Sequence, residues 1–281
     1  MEQANVVELY DNIRVPLLSF ETTALVLFVS LPLAALIGFV VGSRISKARH
    51  AKNLAVDQSL GDTTLPALLA LLGLLLAFTF GNALGAAKSQ ETALINEATA
   101  LGTAFARADY LPESDRSELQ ETLLDYAKTR IVPVDGRLLT KDALAAFLDK
   151  TMQSQSWLWP TTVDATRDLQ SEPVKVSIFS SMNDVLDAHH YRMQSVAAAV
   201  GSYTELMLFI AAIAALFLLG NRSGIKGRSL SWRTFFLSGF LFVVMVSIVD
   251  TLRGSEGFIL TDQTALEVTI FEMEQALKRS S

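Results

Sequence analysis

The segment Leu65–Pro112 decides the fold, and it reads LPALLALLGLLLAFTFGNALGAAKSQETALINEATALGTAFARADYLP. Up to Ala87 it carries no charged side chain, and it is longer than the roughly 20 apolar helical residues that a bilayer crossing requires. Beyond Lys88 it becomes polar, yet no proline interrupts it before Pro112. Apolar residues in this second part recur at helical spacing, at Leu94, Ala98, Leu101 and Phe105. The pattern predicts one helix that crosses a membrane and continues into water to about Asp109.

Three other segments are long, apolar and uncharged through their middles: Thr22–Val41, Tyr203–Gly220 and Trp232–Leu252. Charged residues make up only 19% of the chain, against about a quarter in soluble domains. The first segment is too long for a signal peptide and follows an acidic flank, so we expect it to remain as a span. The predicted fold is an all-α membrane protein with four transmembrane helices and a helical bundle inserted between the second and third.

The spans divide the chain into five segments. They are an N-terminal segment 1–21, spans one and two in 22–87, a water-exposed helical domain in 88–202, spans three and four in 203–253, and a C-terminal tail in 254–281. The tail is expected to be helical. These boundaries follow from the positions at which apolar residues give way to charged and polar ones.

Prolines predict where further helices of segment 88–202 begin and end. One helix is expected between Pro112 and Pro133, one from Thr140 to Met152, and one after Pro173 that runs straight into the third span. Trp157 and Trp159 precede Pro160 and are predicted to lie in a loop, either packed or at the membrane interface.

Composition excludes several classes of function. The chain has no cysteine, which rules out disulfides, thiolate nucleophiles and zinc sites with cysteine ligands. Its formal net charge is -6, with no basic stripe, so nucleic acid is not an expected partner. It contains no G-x-S-x-G turn and no phosphate-binding glycine loop. We therefore do not expect an enzyme or a bound cofactor.

Basic residues beside short loops mark the cytoplasmic side of a membrane. They cluster after the first span and between the last two, at Arg44, Lys47, Arg49, Lys52, Arg222, Lys226, Arg228 and Arg233. Both connections are therefore predicted to be cytoplasmic. This places segment 88–202 and both termini outside the cytoplasm.

Polar residues on the helix after Pro173 are the main candidates for chemistry: Asn183, Asp187, His189 and Arg192. Asp187 and His190 are spaced so that they could share a metal ion, but no second pair of ligands is apparent. The preferred interpretation is a structural polar network between this helix and the long helix of the second span, with no metal. The long helix supplies Glu97, Arg107 and Asp109 to it.

A few polar residues lie inside the spans. Thr79 and Asn82 belong to the second, and Asp250 lies near the end of the fourth, three residues before Arg253. Asp250 and Arg253 can therefore pair on one helix face. An ionisable residue inside a span is typical of a functional site, but Asp250 lies at a span end, where water can solvate it and a structural role suffices. Both interpretations of Asp250 stay open.

Two pairs of glycines are spaced four residues apart in the spans, Gly38 with Gly42 and Gly81 with Gly85. Such pairs present a flat strip on which a second helix can approach closely. They predict close helix contacts, either within the chain or between copies.

Two runs resemble the bestrophin-like membrane proteins of bacteria: LLGLLLAFTF at Leu71–Phe80 and NEATALGTAFARADYLP at Asn96–Pro112. The resemblance continues in an Asn-x-x-x-Asp-x-His-x-x-Arg stretch formed by Asn183, Asp187, His189 and Arg192. It is looser after the fourth span, where Asp-Thr-Leu-Arg-Gly at Asp250–Gly254 replaces the usual Asp-Leu-Asp-Arg-Pro. In all it covers about residue 65 to the last residue.

That group is similar to the bestrophins, pentameric anion channels whose second span lines the pore with apolar rings. The resemblance implies a homo-oligomer, specifically a pentamer, that conducts small inorganic anions such as chloride. It also implies that this pentamer lies in the inner membrane of a bacterium. Phe78 corresponds to the phenylalanine of the neck, and Leu74 and Ala70 lie one and two turns before it. A ring of such apolar helix faces can gate by dewetting. Thr79 and Asn82 complete the predicted pore lining.

The resemblance also has limits and leaves alternatives. Bestrophins carry an acidic calcium clasp, and no corresponding acidic run occurs here, so calcium control is not expected. Bestrophins keep the region between spans two and three in the cytoplasm, opposite to what the basic loops predict, and we prefer the charge rule. A second functional hypothesis is a non-conducting envelope scaffold or sensor that binds a partner through segment 88–202.

Overall fold

The computed structural model describes residues 18–52, 59–133, 141–199, 202–254 and 256–280. These residues form helices and connections, without a strand. The helices are α1 (Phe20–Ala51), α2 (Ser59–Arg107), α3 (Glu113–Thr129), α4 (Lys141–Ala165), α5 (Glu172–Ala199), α6 (Ser202–Ile225), α7 (Trp232–Arg253) and α8 (Thr264–Ser280). By length and composition α1, α2, α6 and α7 can cross a membrane. The predicted all-α fold with four transmembrane helices is confirmed.

The long helix of the second span is α2, which continues unbroken over 49 residues. It ends in a short 3₁₀ helix, Ala108–Tyr110, and the chain then turns at Leu111. Pro112 precedes the first residue of α3, a position where its missing amide hydrogen costs no helical hydrogen bond. The prediction of one helix reaching about Asp109 is confirmed.

The chain divides into two compact units. We call the described residues of 18–85 and 201–253 the span unit, and those of 86–200 and 254–281 the bundle unit. α1, α6, α7 and the first part of α2 belong to the span unit. The rest of α2 belongs to the bundle unit with α3, α4, α5 and α8.

In the span unit, α1 packs extensively along α6. Glycines allow this approach: a side chain added at Gly38 or Gly42 would overlap the backbone of Phe217 or Asn221. A side chain added at Gly220 or Gly224 would in turn overlap the backbone of α1. Gly38 meets Phe217 and Gly42 meets Asn221, so the contacts advance in the same direction along both helices. α1 and α6 therefore run parallel, and their basic C-terminal ends lie at the same end of the unit.

In the bundle unit, α2, α3, α4, α5 and α8 contribute to one apolar core. Its fully buried members include Leu94, Leu101, Leu119, Leu123, Leu158, Ile178, Met182 and Leu266. The apolar positions predicted on the second part of α2 all belong to it. Gln263, just before α8, accepts a hydrogen bond from the amide of Val132 and donates one to its carbonyl, both at 2.8 Å.

The prediction of a loop around Pro160 is wrong. α4 runs from Lys141 to Ala165, so Trp157 and Trp159 lie within a helix, and Thr140 lies outside the described residues. One face of α4 is buried on both sides of the proline, through Leu148, Thr151, Leu158 and Thr162. This burial outweighs the loss of one backbone hydrogen bond at Pro160.

Helix ends show two further points. Gly254 follows α7 directly and has a φ of 49°, the left-handed conformation in which glycine commonly ends a helix. α5 ends at Ala199 and α6 begins at Ser202. Residues 200 and 201 lie outside the described residues, so the direct continuation of α5 into the third span stays a prediction.

Candidate functional site

One face of α2 in the span unit is uncharged, mostly apolar and exposed. It carries Ala70, Leu74, Phe78 and Asn82 at four-residue spacing, and we call these residues the α2 stripe. Leu74 is 53% exposed and Phe78 is 65% exposed. The opposite face packs in the core of the unit through Leu72, Leu76 and Ala83. Four of the five predicted pore residues therefore share one outward face.

Thr79 does not belong to that face. It is buried, and its hydroxyl donates a hydrogen bond to the backbone carbonyl of Leu75 at 2.8 Å. One residue corresponds to about 100° of rotation on a helix, which turns Thr79 away from Phe78 and toward the core. Its predicted place in a pore lining is corrected to a packing position.

The bundle unit contains a buried cluster of ions centred on Glu97, which is fully buried. Oε1 of Glu97 lies 2.6 Å from Nε of Arg130, and Oε2 lies 2.5 Å from a terminal guanidinium nitrogen of Arg192. Arg130 is fully buried and Arg192 nearly so. We call Glu97, Arg130 and Arg192 the arginine clamp. It ties α2 to the end of α3 and to α5, because each charge would be costly to bury alone.

Two further side chains adjoin the arginine clamp. The hydroxyl of Tyr126 lies 3.3 Å from Nδ1 of His189, and both residues are buried. Burial, and then the positive charge of Arg130, lowers the pKa of His189 to about 3. His189 is therefore neutral at physiological pH. Burial also lowers the pKa of Arg192, against the opposing effect of Glu97.

Other members of the predicted polar network lie elsewhere. Arg107 donates a hydrogen bond to the backbone carbonyl of Ser177 on α5 at 2.8 Å. Asp109 accepts one from Gln120 of α3 at 2.9 Å. Asn183 and Asp187 are exposed on α5, so the structure does not bring them to Glu97.

The exposed position of Asp187 also bears on the metal alternative. His190 is exposed as well, and its Nδ1 lies 2.8 Å from the carbonyl of Leu186 in the preceding turn. Among the described residues, no group of three or more His, Asp or Glu side chains could hold a metal ion. The arrangement thus offers no ligand set there.

In the span unit, Arg253 lies near the start of α1. Its guanidinium donates hydrogen bonds to the carbonyl of Leu18 at 2.8 Å and to the hydroxyl of Thr23 at 3.1 Å. Asp250 is buried, only 4% exposed. Arg253 therefore joins the end of α7 to the start of α1.

Sequence reasoning did not assign Arg130, Tyr126 or Gln120 to the polar network. Arg130 follows the last residue of α3, a place where arginine usually lies in solvent and caps the helix. Tyr126 carries a weak signal, because it belongs to the apolar face of the predicted helix. Arg130 carries no such signal, since nothing in the neighbouring sequence marks it as buried.

A pH-dependent stability is expected from His189. Unfolding raises its pKa from about 3 to the ordinary 6.5, so the unfolded chain binds an extra proton between these values. Stability should therefore fall with decreasing pH below 6.5, by up to about 1.4 kcal/mol per pH unit from this group. Denaturant titrations in detergent, followed by circular dichroism at pH 7 and 5, measure it.

Two variants isolate this contribution from that of other titrating groups. His189→Gln should lose that part of the pH dependence, whereas His190→Gln, at the exposed neighbour, should retain it. Identical pH dependence in the wild type and His189→Gln would contradict the assignment.

Solved structures share this fold at low sequence identity. Three are variants of a bacterial bestrophin homologue from Klebsiella pneumoniae, with TM-scores of 0.61, 0.57 and 0.58 and identities of 12%, 11% and 12%. The matches cover 93%, 89% and 91% of this chain and 98% of each of the other chains. No protein-family model and no curated protein matches the sequence. The likeness establishes a bestrophin-like fold.

Proposed function

We propose that this multi-pass membrane protein forms a homo-oligomeric channel for small anions such as chloride, with α2 lining a hydrophobic neck. The observation that carries the proposal is the α2 stripe, in which Ala70, Leu74 and Phe78 are exposed on an uncharged helix face. The bestrophin-like fold supports it, since the resemblance implies a pore lined by the second span.

A pore of this kind requires several copies around one axis, because one helix per copy cannot enclose a path alone. Closed rings are the common form of such assemblies, and the resemblance favours five copies. Within the ring, Leu74 and Phe78 would form successive apolar constrictions that control hydration of the path.

Replacing Phe78 or Leu74 with alanine is expected to raise single-channel conductance severalfold, because the smaller side chain widens the constriction and lets water enter. Phe236→Ala is the matched control: Phe236 is 69% exposed on α7, and its removal should leave the conductance unchanged. Purified protein in planar bilayers provides the measurement. Silent bilayers at high protein load, or equal effects of all three variants, would refute the proposal.

One observation favours a second candidate, a scaffold or sensor that binds a partner through the bundle unit. Large apolar side chains are exposed there on α4 and α5, with Trp157 at 62% and Val176 at 65%. This candidate predicts no conductance. A mass measurement of the complex in detergent separates the two, because a monomer or dimer could not enclose a pore with one α2 per copy.

We propose the inner membrane of a bacterium as its location, with the bundle unit outside the cytoplasm. The parallel arrangement of α1 and α6 supports the charge rule, because it brings Arg44, Lys47 and Arg222 to the same end of the span unit. This orientation can be tested with a reporter that is fused to the C-terminus and is active on only one side of the membrane. Cytoplasmic activity would favour the bestrophin topology instead.

A further inference from the structure

The segment between α7 and α8 exposes three large apolar side chains in succession. Phe258 is 86% exposed, Ile259 is 51% exposed and Leu260 is 42% exposed. The polar side chains on either side of them, Glu256 and Gln263, are buried. A loop in water normally has the opposite arrangement, because burying apolar groups and solvating polar groups both lower the free energy. We call Phe258, Ile259 and Leu260 the apolar tip.

The base of this segment is held in place within the bundle unit. The amide of Thr261 donates a hydrogen bond to the carbonyl of Gly254 at 2.7 Å. This bond closes a loop of residues 254–261, of which the structure describes all but residue 255. The closed base also packs beside α2, because a Cβ added at Gly254 would lie 3.0 Å from Oε1 of Gln90. The apolar tip is therefore presented to the outside by an ordered base.

The length of chain between α7 and the apolar tip keeps the tip close to the membrane. α7, which can cross a membrane, ends at Arg253, and Phe258 follows five residues later. A fully extended chain of that length spans at most about 18 Å. This limit holds for every orientation of the bundle unit.

The contact with Gln90 places the loop base near the same boundary independently. The uncharged run of α2 ends at Ala87, and Gln90 follows it by three residues, which is about 5 Å of helix rise. Ala87, Gln90 and the loop base all belong to the bundle unit. The loop base therefore lies beside the part of α2 in which the apolar segment gives way to charged residues.

This location decides what covers the apolar tip. Contiguous exposed apolar side chains mark sites of contact with a protein or a membrane. The stretch Gly257–Leu260 carries no charge, and phenylalanine and leucine are among the side chains that interfacial segments insert between headgroups and acyl chains. An uncharged tip this close to the end of a span fits the bilayer interface.

We propose that the apolar tip inserts into the interfacial layer of the lipid bilayer, so that the bundle unit has a membrane contact of its own in addition to the spans. Insertion by about 5–10 Å, the depth typical of interfacial segments, would cover the three side chains with lipid. The inference goes beyond the proposed function and does not depend on it, since it applies equally to a channel and to a scaffold.

The test is the surroundings of a nitroxide label attached at Ile259→Cys in the full-length protein. The chain has no cysteine, so the label occupies a single position. In vesicles of phosphatidylcholine and phosphatidylglycerol, electron paramagnetic resonance compares collisions of the label with oxygen, which concentrates in lipid, and with a nickel chelate, which stays in water. Oxygen collisions should dominate, as they should for Val243→Cys on α7, and Leu260→Cys should repeat the result.

Val176→Cys is the matched control in the bundle unit. Val176 is 65% exposed on α5, and its label should collide mainly with the nickel chelate, because exposure of an apolar residue alone does not bring it into lipid. Adding Phe258→Asp and Leu260→Asp to Ile259→Cys should reverse the preference for oxygen, since carboxylates are costly to place among acyl chains.

Three results would overturn the inference. A label at Ile259→Cys that collides mainly with the nickel chelate would place the apolar tip in water. A label shielded from both reagents would show that protein, such as a second copy of the chain, covers it. An equal preference for oxygen at Val176→Cys would show that the effect is not specific to the apolar tip.

Discussion

Replacing Glu97 with alanine is expected to lower the free energy of unfolding by about 3–5 kcal/mol. The variant leaves Arg130, which is fully buried, and Arg192, only 6% exposed, without the carboxylate that lies 2.6 Å and 2.5 Å from their nitrogens. A buried charge that loses its partner keeps its desolvation cost without compensation. Denaturant titration of the intact protein in detergent, followed by circular dichroism, measures the loss.

Glu91→Ala is the matched control on the same helix. Glu91 pairs with Lys88 at 3.0 Å, but its side chain is 44% exposed, so its removal should cost no more than about 1 kcal/mol. A triple variant, Glu97→Leu with Arg130→Met and Arg192→Met, should recover most of the stability, because it removes all three buried charges together. If Glu97→Ala and Glu91→Ala lowered the free energy of unfolding equally, the arginine clamp would not be the source of this stabilisation.

The second large effect is expected at the crossing of α1 and α6. Gly220→Ala should destabilise the protein by about 1–3 kcal/mol, and Gly220→Leu should prevent its accumulation in the membrane. An added Cβ at Gly220 would overlap the backbone of Ala35 on α1, and a backbone cannot rotate away as a side chain can. The two helices would have to separate along their contact.

Gly239→Ala on α7 is the control for the crossing. A Cβ at Gly239 meets no atom within 4 Å, and alanine is the better helix former by about 1 kcal/mol. This control should therefore be neutral or slightly stabilising in thermal melts monitored by circular dichroism. The same loss in both alanine variants would mean that helix propensity, and not the close approach of α1 and α6, explains the effect.

Much of the fold could be predicted from the sequence because the relevant properties are local. Apolar segments long enough to cross a bilayer identify α1, α2, α6 and α7, since transfer into lipid depends on contiguous residues. The absence of a proline between Ala87 and Pro112 sufficed to predict that α2 leaves the membrane as the same helix. The spacing of Leu74 and Phe78 placed them on one face for the same reason.

Only the tertiary structure decided which residues meet. The predicted network already included Glu97 and Arg192, which are 95 positions apart, but Arg130, 33 positions from Glu97, was not part of it, and no local pattern marks it. Whether Thr79 or Asn82 shares the exposed face of α2 depends on where the other spans pack, and α4 continues through Pro160 because its buried face is held by the bundle. Helix length and hydropathy sum over neighbouring residues, whereas burial and ion pairing depend on distant elements brought together by folding.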